Sequence, residues 1–380
     1  GPFPFEGPLC CSGDAMHTLF ERVLAHEPSD SVVWTADLEY WISGREEDGT
    51  ADPSWRTDEG FLELCRSYRV VPYYYYGNFW LAEARFDRTV EISMEKEGRR
   101  TRKIFRTPKG DLCEETSYMP ESCSVAQTRF AVQNENDLEI FAYMMKHRSL
   151  VPAAIQDYPK RLSLYRSYGG LPSIALPRSP LSAFLYEWAG VLNGVYLILD
   201  CPEIIAETFS VMQEQEEPVL DAVCESAPPL VHFAENLSSD TMGGFYSQYM
   251  EEIHAHRLER LHAAGIACAV HLDGVVRGLL PRLAAIGFDA IEALTPQPGG
   301  DMRVEDMRDV CGNDSVILWG GVPGVLFSPP YRASDIESHV RRVLAAWKGT
   351  PFILGVADQI PANGNIEYCR LIADICAAES

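Results

Sequence analysis

From about Pro228 to the end of the chain, short apolar runs alternate with longer segments in which apolar residues recur at helical spacing. Short apolar runs bounded by turn residues are typical of buried strands, and longer amphipathic segments are typical of helices. The predicted strands are Leu230–Ala234, Ala267–His271, Ala290–Leu294, Ser315–Trp319 and Pro351–Leu354. The predicted helices are Gly243–Ala264, Val275–Ala285, Arg303–Val310, Ala333–Trp347 and Ile366–Ala377. This alternation predicts a parallel sheet built from βα units.

Earlier segments supply the other strands that a closed barrel needs. Val32–Ala36, Pro172–Ala175 and Gly194–Asp200 are short and apolar, and the last of them precedes a long predicted helix, Pro202–Val223. The five predicted βα units after Pro228 are more than one half of a nucleotide-binding α/β fold contains. We therefore expect an α/β fold, namely a single (β/α)8 TIM barrel.

A region of different character separates the first two predicted strands. Between Glu91 and Tyr118, charged and β-branched residues alternate around two glycine turns, which is typical of solvent-facing antiparallel hairpins. We interpret residues 88–120 as a hairpin insertion or lid in a barrel that spans residues 16–380. Residues 1–15 are interpreted as an N-terminal extension or tag, because a leading Gly-Pro is typical of a protease scar; a secretory signal is not expected, because no basic stretch precedes an apolar run.

Composition narrows the class of protein. Hydrophobic residues make up 46% and charged residues 23% of the 380 residues, as in ordinary globular proteins. The formal charge is −23, from 32 basic and 55 acidic residues, so nucleic acid and membrane surfaces are not expected partners. The 11 cysteines form no C-x-x-C pair, which favours the reducing cytoplasm. Fingerprints for dinucleotides, P-loop phosphates, serine hydrolases and zincins are absent from the sequence.

Polar residues follow several of the predicted strands, and the carboxyl ends of barrel strands are where catalytic groups project. These residues are Asp37, Glu235-Asn236, His271-Leu272-Asp273 and Asp358-Gln359. His271 and Asp273 are two residues apart, so both side chains face one side of an extended segment and form a usable pair of metal ligands. A structural histidine followed by a turn is an equally ordinary interpretation. Glu235 is either a ligand or general acid, or a solvated residue before the next helix.

Two further groups of side chains have open interpretations. The first is an aromatic set around the first predicted strand: Trp34, Tyr40, Trp41, Tyr73–Tyr76, Phe79 and Trp80. Such a set would suit a flat apolar substrate at a barrel mouth, although core or lid packing is the more ordinary role. The second group comprises His254, His256 and His262 with Arg257 and Arg260. It predicts a solvated helix surface, because His254 and His256 do not share a helix face.

A series of landmarks occurs in the order of a known family. It comprises Glu235-Asn236-Leu237-Ser238-Ser239-Asp240, Gly265-Ile266, His271-x-Asp273-Gly274, Gly287-Phe288-Asp289 and Trp319-Gly320-Gly321-Val322-Pro323. This order resembles that of the uroporphyrinogen decarboxylase superfamily, which includes cobalamin-dependent methyltransferases. Thr107-Pro108-Lys109-Gly110-Asp111-Leu112 is similar to a T-P-x-G-x-L hairpin of the methyltransferase branch. The resemblance covers the chain from about Thr107 onward and implies a TIM barrel.

Departures from the family's pattern bear on the expected substrate. The decarboxylases carry an arginine-rich segment after the first strand, whereas residues 34–41 contain no arginine, so porphyrinogen decarboxylation is not expected. The zinc methyltransferases bind metal through His-x-Cys and a later Cys, and the matching residues here are His271, Asp273 and Asp358. Carboxylates in place of thiolates imply a harder site, in which zinc would be a stronger Lewis acid towards an ether or hydroxyl oxygen.

The resemblance therefore implies a cobalamin-dependent methyltransferase of the O-demethylase type, which would pass the methyl group of an O-methyl compound, such as an aromatic methyl ether, to a partner corrinoid protein. His271, Asp273 and Asp358 are the implied zinc ligands, with Glu235 and Asp37 as catalytic residues. The expected substrate contacts are Tyr40, Trp41, Tyr76, Asn78, Trp80, Arg178 and Asn236. Open alternatives are a thiol or amine substrate, a metal-free decarboxylase that uses Asp37, and a non-catalytic barrel that binds a corrinoid or tetrapyrrole.

Overall fold

The computed structural model describes residues 17–73, 82–153 and 157–379. The strands are β1 (Trp34–Thr35), β2 (Ala82–Phe86), β3 (Glu91–Glu97), β4 (Arg100–Thr107), β5 (Gly110–Met119), β6 (Ser124–Arg129), β7 (Arg148–Pro152), β8 (Ile174–Leu176), β9 (Leu230–Leu237), β10 (Ala267–Leu272), β11 (Ala290–Leu294), β12 (Ile317–Pro323) and β13 (Phe352–Ala357).

Helices occupy most of the remaining described chain. They are α1 (Leu19–Leu24), α2 (Glu39–Glu47), α3 (Asp58–Ser67), α4 (Glu135–Lys146), α5 (Tyr158–Arg166), α6 (Pro180–Ala183), α7 (Val191–Asp200), α8 (Pro202–Glu214), α9 (Glu217–Ser226), α10 (Ser239–Met242), α11 (Tyr246–Tyr249), α12 (Glu251–Ala263), α13 (Leu280–Ile286), α14 (Val304–Cys311), α15 (Ala333–Trp347) and α16 (Tyr368–Glu379). Single 3₁₀ turns span Pro53–Arg56 and Gly324–Phe327, and a π-helix, Phe184–Ala189, continues α6. Within the described ranges, no single helix has the length and apolar character of a membrane span. The segments Pro180–Ala189 and Val191–Asp200, which meet at a sharp bend, reach that length and apolar character only when taken together.

The centre of the fold is a seven-stranded parallel sheet in the order β1-β13-β12-β11-β10-β9-β8. Strands β8, β11 and β12 are buried at every residue, as expected where helices cover both faces of a parallel sheet. The arrangement is that of a TIM-barrel-like α/β fold. Ala290–Leu294 and Ala333–Trp347 have the bounds predicted from the sequence.

The predicted strand Gly194–Asp200 is wrong, because this segment belongs to helix α7. The exposed apolar residues of α7, Leu192, Tyr196 and Leu199, are spaced four and three residues apart, which is helical periodicity. An uninterrupted apolar run does not by itself distinguish a buried strand from a helix. The predicted helix Pro202–Val223 is also divided, into α8 and α9.

A short segment, residues 71–73, connects the two edges of the central sheet. The amide of Val71 donates to the carbonyl of Trp34 at 2.8 Å, next to β1. The amides of Leu171 and Ser173, just before β8, donate to the carbonyls of Pro72 and Tyr73 at 3.1 and 2.8 Å. Residues 71–73 therefore hydrogen-bond to the edge strand β1 and to the segment that directly precedes the other edge strand, β8.

Antiparallel sheets lie outside the central one. Strands β3 to β6 pair in sequence order, and β2 pairs with β7. Phe105 of β4 is buried against Trp188 at a ring distance of 5.3 Å, which attaches the four-stranded sheet to the π-helix. This sheet contains the segment Glu91–Tyr118, for which the sequence predicts hairpins.

The amino-terminal end of the central sheet is filled by aromatic side chains. Phe20 of α1 contacts Trp319 of β12 at 5.3 Å, and the Trp319 indole donates to Thr35 Oγ1 at 2.9 Å. The glycines after Trp319 let neighbouring elements approach. A Cβ on Gly321 would lie 2.8 Å from Val343 of α15, so a small residue is required where this helix covers the strand.

Candidate active site

His271, Asp273 and Asp358 meet at the carboxyl end of the central sheet. His271 is near the end of β10, Asp273 follows that strand, and Asp358 follows β13. The Nε2 atom of His271 lies 3.8 Å from Asp273 Oδ2 and 3.9 Å from Asp358 Oδ1, and one ligand atom from each residue lies within 4.8 Å of the others. The structure thus brings together the three residues predicted as metal ligands.

The carboxylate of Glu292 orients the imidazole of His271. Glu292, in the middle of β11, accepts the Nδ1–H of His271 at 2.7 Å, and its other oxygen accepts the Tyr73 hydroxyl at 3.3 Å. Nε2 of His271 is buried and has no hydrogen-bond partner among the described residues. A carboxylate on one ring nitrogen, with the other nitrogen left open, is the arrangement that prepares a histidine for metal binding.

We expect Glu292→Gln to weaken zinc binding at His271 by about 10–100-fold, because the amide is a poorer acceptor for Nδ1–H and no longer raises the basicity of the ring. The measurement is a competition titration against a chromophoric zinc chelator. Glu305→Gln, which alters a partly exposed carboxylate paired with Arg342, is the control. Equal zinc affinities for Glu292→Gln and the control would contradict the orienting role.

Burial and neighbouring charges act on the titratable groups of this site. Burial and the charges of Asp358 and Glu292 raise the pKa of Asp37 well above its usual value, against one hydrogen bond from the Glu39 amide. Burial by itself lowers the pKa of His271, but Glu292 and Asp273 outweigh it and hold that pKa well above its usual value. Burial, with the charge of Asp358, also raises the pKa of the Tyr40 phenol. Burial and the charges of neighbouring carboxylates together therefore set the pKa shifts in this cluster.

The predicted substrate residues Arg178 and Asn236 lie together at the rim. Arg178 donates to Asn236 Oδ1 at 2.7 Å and to Glu187 at 2.9 Å. Tyr186 donates to the Asn236 carbonyl at 2.8 Å, and its phenol is close enough to Asp273 for that charge to contribute to its raised pKa, although burial is the larger cause. Tyr186 thus links the rim to the His271 cluster.

The predicted aromatic contacts differ in their placement. Tyr40 is half-buried near Asp358 and Asp37. Trp41 instead packs against Trp55 and Tyr68, at ring distances of 5.5 and 6.1 Å, in the manner of a core residue. The remaining predicted contacts, Tyr76, Asn78 and Trp80, lie outside the described residues.

Glu235 is fully buried in a network of donors. Its carboxylate accepts the amide and hydroxyl of Ser179 at 2.9–3.1 Å, His254 Nε2 at 3.2 Å and Arg257 Nη1 at 3.1 Å. Burial alone would raise the pKa of Glu235, but His254 and Arg257 lower it to about 2. A carboxylate that stays ionised is unsuited to donate a proton, so this geometry favours a structural role over the predicted general acid.

The same network corrects the prediction for helix α12. His254 and Arg257 are 0% and 3% exposed, so this helix presents them to the interior and not to solvent. Arg257 also pairs with the buried Glu216. The expectation of a solvated surface holds for His256, His262 and Arg260, whose side chains are 35–39% exposed.

The backbone at the strand ends is conformationally unusual. Asn236, Ala293 and Asp358 have φ values of +53°, +64° and +66°, in the left-handed region that residues other than glycine rarely adopt. Each such residue costs on the order of 1 kcal/mol or more unless its surroundings enforce it. Asp358 is itself a candidate ligand and Ala293 follows Glu292, so the unusual conformations occur where the side chains converge.

The donor set fits a divalent metal ion. One imidazole nitrogen and two carboxylate oxygens are ligands that Zn²⁺ accepts, and three protein ligands with an open position are typical of catalytic zinc. The unpartnered Nε2 supports this fit, because a buried polar atom without a hydrogen bond is costly unless a ligand satisfies it. The side chains of Asp273 and Asp358 are 31% and 40% exposed, so the cluster is accessible from solvent.

Comparison with known proteins shows a likeness at the level of fold. No family model and no curated protein sequence matches the chain. Among solved structures, a methyltransferase from Methanosarcina mazei superposes with a TM-score of 0.60 and 13% identity, over 96% of this chain and 99% of that one. A B12-independent methionine synthase from Shewanella sp. W3-18-1 aligns with a TM-score of 0.43 and 10% identity, over 84% and 86% of the two chains. The chain therefore has the fold of the Methanosarcina methyltransferase over nearly its whole length.

Sequence reasoning missed Glu292 and Tyr186. Glu292 had a recognisable signal, because a single glutamate inside a strand that is otherwise apolar must be paired when the strand is buried on both faces. Tyr186 had no such signal, since the π-helix that carries it begins in an apolar stretch and its contact with Asn236 bridges 50 residues.

Proposed function

We propose that this protein is a methyltransferase that removes a methyl group from an O-methyl compound, such as an aromatic methyl ether, and passes it to cobalamin on a partner corrinoid protein. The observation that carries the proposal is the buried Nε2 of His271, which faces Asp273 and Asp358 at 3.8 and 3.9 Å. The fold shared with a methyltransferase supports the same class of reaction by analogy.

In this proposal the chain holds and orients the reacting groups. Glu292 accepts the Nδ1–H of His271 and so fixes the ring with Nε2 facing Asp273 and Asp358; Nε2 would give up its proton when it binds an ion. His271, Asp273 and Asp358 would hold a divalent ion such as zinc. A bound divalent ion would supply Lewis acidity towards the ether oxygen, which would ease departure of that oxygen with the bonding electron pair.

Asp37 is the group best suited to give a proton to the departing oxygen. Burial and the neighbouring carboxylates raise the pKa of Asp37, which favours its protonated form. As the methyl group passes to cob(I)alamin, which supplies the electron pair of the new bond, the oxygen keeps the electron pair of the broken carbon–oxygen bond and takes the proton of Asp37. Tyr40 lies beside Asp37 and offers an aromatic surface for the ring of the substrate.

The test compares the wild-type protein with an Asp273→Ala, Asp358→Ala double variant. Methyl transfer from methoxylated aromatic acids to cob(I)alamin is followed by absorbance, and metal content is followed by mass spectrometry on protein purified without chelators. We expect the double variant to lose one zinc equivalent per chain together with methyl transfer. A Glu217→Ala, Asp221→Ala variant, which removes two exposed carboxylates around Arg260, serves as the control. Wild-type transfer by the double variant would overturn the proposal.

A metal-free decarboxylase is a second candidate, because a buried carboxyl with a raised pKa is also what such a reaction needs. In that case Asp37 would protonate the carbanion left by loss of carbon dioxide. Carbon dioxide release by chelator-treated protein, without formation of methylcobalamin, would identify this activity.

A further inference from the structure

A second group of ligand-type side chains lies at the amino-terminal end of the central sheet. His262 is in the last turn of α12, Cys268 is the second residue of β10, and Asp289 directly precedes β11. One ligand atom from each lies within 4.8 Å of the other two, and His262 Nε2 is 2.9 Å from Asp289 Oδ2. Cys268 and His271 are three residues apart on the strand, a rise of about 10 Å, so this group is separate from the candidate active site.

The backbone holds these residues in place. The amide of Cys268 donates to Asp289 Oδ2 at 2.7 Å, and the amide of Asp289 donates back to the carbonyl of Cys268 at 3.0 Å. The amide of Gly265 donates to the carbonyl of His262 at 2.9 Å, in the tight turn that joins α12 to β10. These hydrogen bonds hold the backbone of the three residues together, and one oxygen of Asp289 contacts both the His262 ring and the Cys268 amide, so the side chains are already close before a ligand binds.

Burial divides the group into an inner and an outer side. Cys268 is 0% exposed, whereas the side chains of His262 and Asp289 are 39% and 29% exposed. An ion could therefore enter from solvent between the imidazole and the carboxylate and meet the sulfur beneath them. Burial, with the charge of Asp289, raises the pKa of the Cys268 thiol well above its usual value, so a bound cation is needed to stabilise the thiolate.

We propose that His262, Cys268 and Asp289 form a second metal site, selective for a thiophilic divalent ion such as Zn²⁺, with water as the fourth ligand. Thiolate and imidazole ligands favour such ions, and Mg²⁺ and Ca²⁺ prefer all-oxygen sites. On binding, the thiol S–H bond breaks, its proton passes to solvent, and a metal–sulfur bond forms with no change of oxidation state. The ion would cross-link α12 to β10 and β11, which makes its role structural. The proposal is independent of the methyltransferase activity.

The presence of sulfur distinguishes this site from the first one. The His271 cluster contains no cysteine, so Co²⁺ bound there has only nitrogen and oxygen ligands. Co²⁺ at Cys268 would show the near-ultraviolet charge-transfer absorption of a thiolate ligand. The experiment is a Co²⁺ titration of a His271→Ala variant of the full chain, with Zn²⁺ added afterwards to displace the cobalt.

We expect one equivalent of Co²⁺ per chain with the thiolate band, release of one proton, and loss of the band on addition of Zn²⁺. Cys268→Ser in the same background should abolish the band, and Cys376→Ser, a buried cysteine of α16, should leave it unchanged. His262→Gln, on an exposed side chain, should fold normally and weaken Co²⁺ binding by at least about tenfold. Absence of the band, or a band that survives Cys268→Ser, would overturn the proposal whether or not the protein transfers methyl groups.

Discussion

Replacement of His271 by alanine is expected to abolish both metal binding at the candidate active site and methyl transfer. His271 is the residue that both other candidate ligands face, and the only nitrogen donor in this group of three residues. A Lewis acid contributes several kcal/mol to a transition state, and each 1.4 kcal/mol is tenfold in rate, so we expect a loss of at least about a hundredfold.

The measurement is methyl transfer to cob(I)alamin, read together with zinc content and far-ultraviolet circular dichroism. Removal of the imidazole leaves Glu292 without its main partner, so His271→Asn is tested alongside, because a polar side chain there still allows a hydrogen bond to that carboxylate. His256→Ala, which removes a half-exposed histidine paired with Glu217, is the control and should retain full activity. Unchanged transfer by folded His271→Ala would refute the mechanism.

Much of the fold follows from the sequence because strands buried on both faces are short apolar runs and helices on a sheet carry one apolar face. Ala290–Leu294 and Ala333–Trp347 illustrate the two patterns. The same reasoning fails for Gly194–Asp200, where an apolar run belongs to a helix whose outer face is also apolar. It also missed residues 71–73, whose backbone hydrogen bonds to Trp34, Leu171 and Ser173 depend on partners distant in sequence.

The candidate site was partly predictable for a comparable reason. His271, Asp273 and Asp358 all follow strands of one parallel sheet, and the carboxyl ends of such strands converge. The environment of Glu235 was not predictable, because its donors His254 and Arg257 come from a helix whose sequence, taken by itself, predicts a solvent-exposed surface. Only the packing of α12 against β9 decides which of the alternating charged residues of that helix face inward.

Glu235→Gln is expected to destabilise the protein strongly while sparing its chemistry. The substitution keeps the shape of the side chain but removes the charge that pairs with Arg257 and His254 in the interior. Breaking a buried ion pair costs about 3–5 kcal/mol, and we expect the lower end of that range because Glu216 still pairs with Arg257. The measurement is the free energy of unfolding in urea at neutral pH.

Glu217→Gln is a closely matched control. Glu217 pairs with His256 and Arg260 on the same helix, as Glu235 pairs with His254 and Arg257, but its side chain is 42% exposed. An exposed pair contributes about 0–1 kcal/mol, so the comparison isolates the effect of burial.

The stabilising effect of Glu235 should also depend on pH. Its pKa falls from an ordinary 4.5 to about 2 on folding, so its contribution is complete above pH 4.5 and disappears as the pH falls towards 2. The difference in unfolding free energy between wild type and Glu235→Gln should therefore shrink over that interval. If instead Glu235→Gln unfolds like the control but loses methyl transfer, Glu235 is the general acid after all, and the role assigned to Asp37 is wrong.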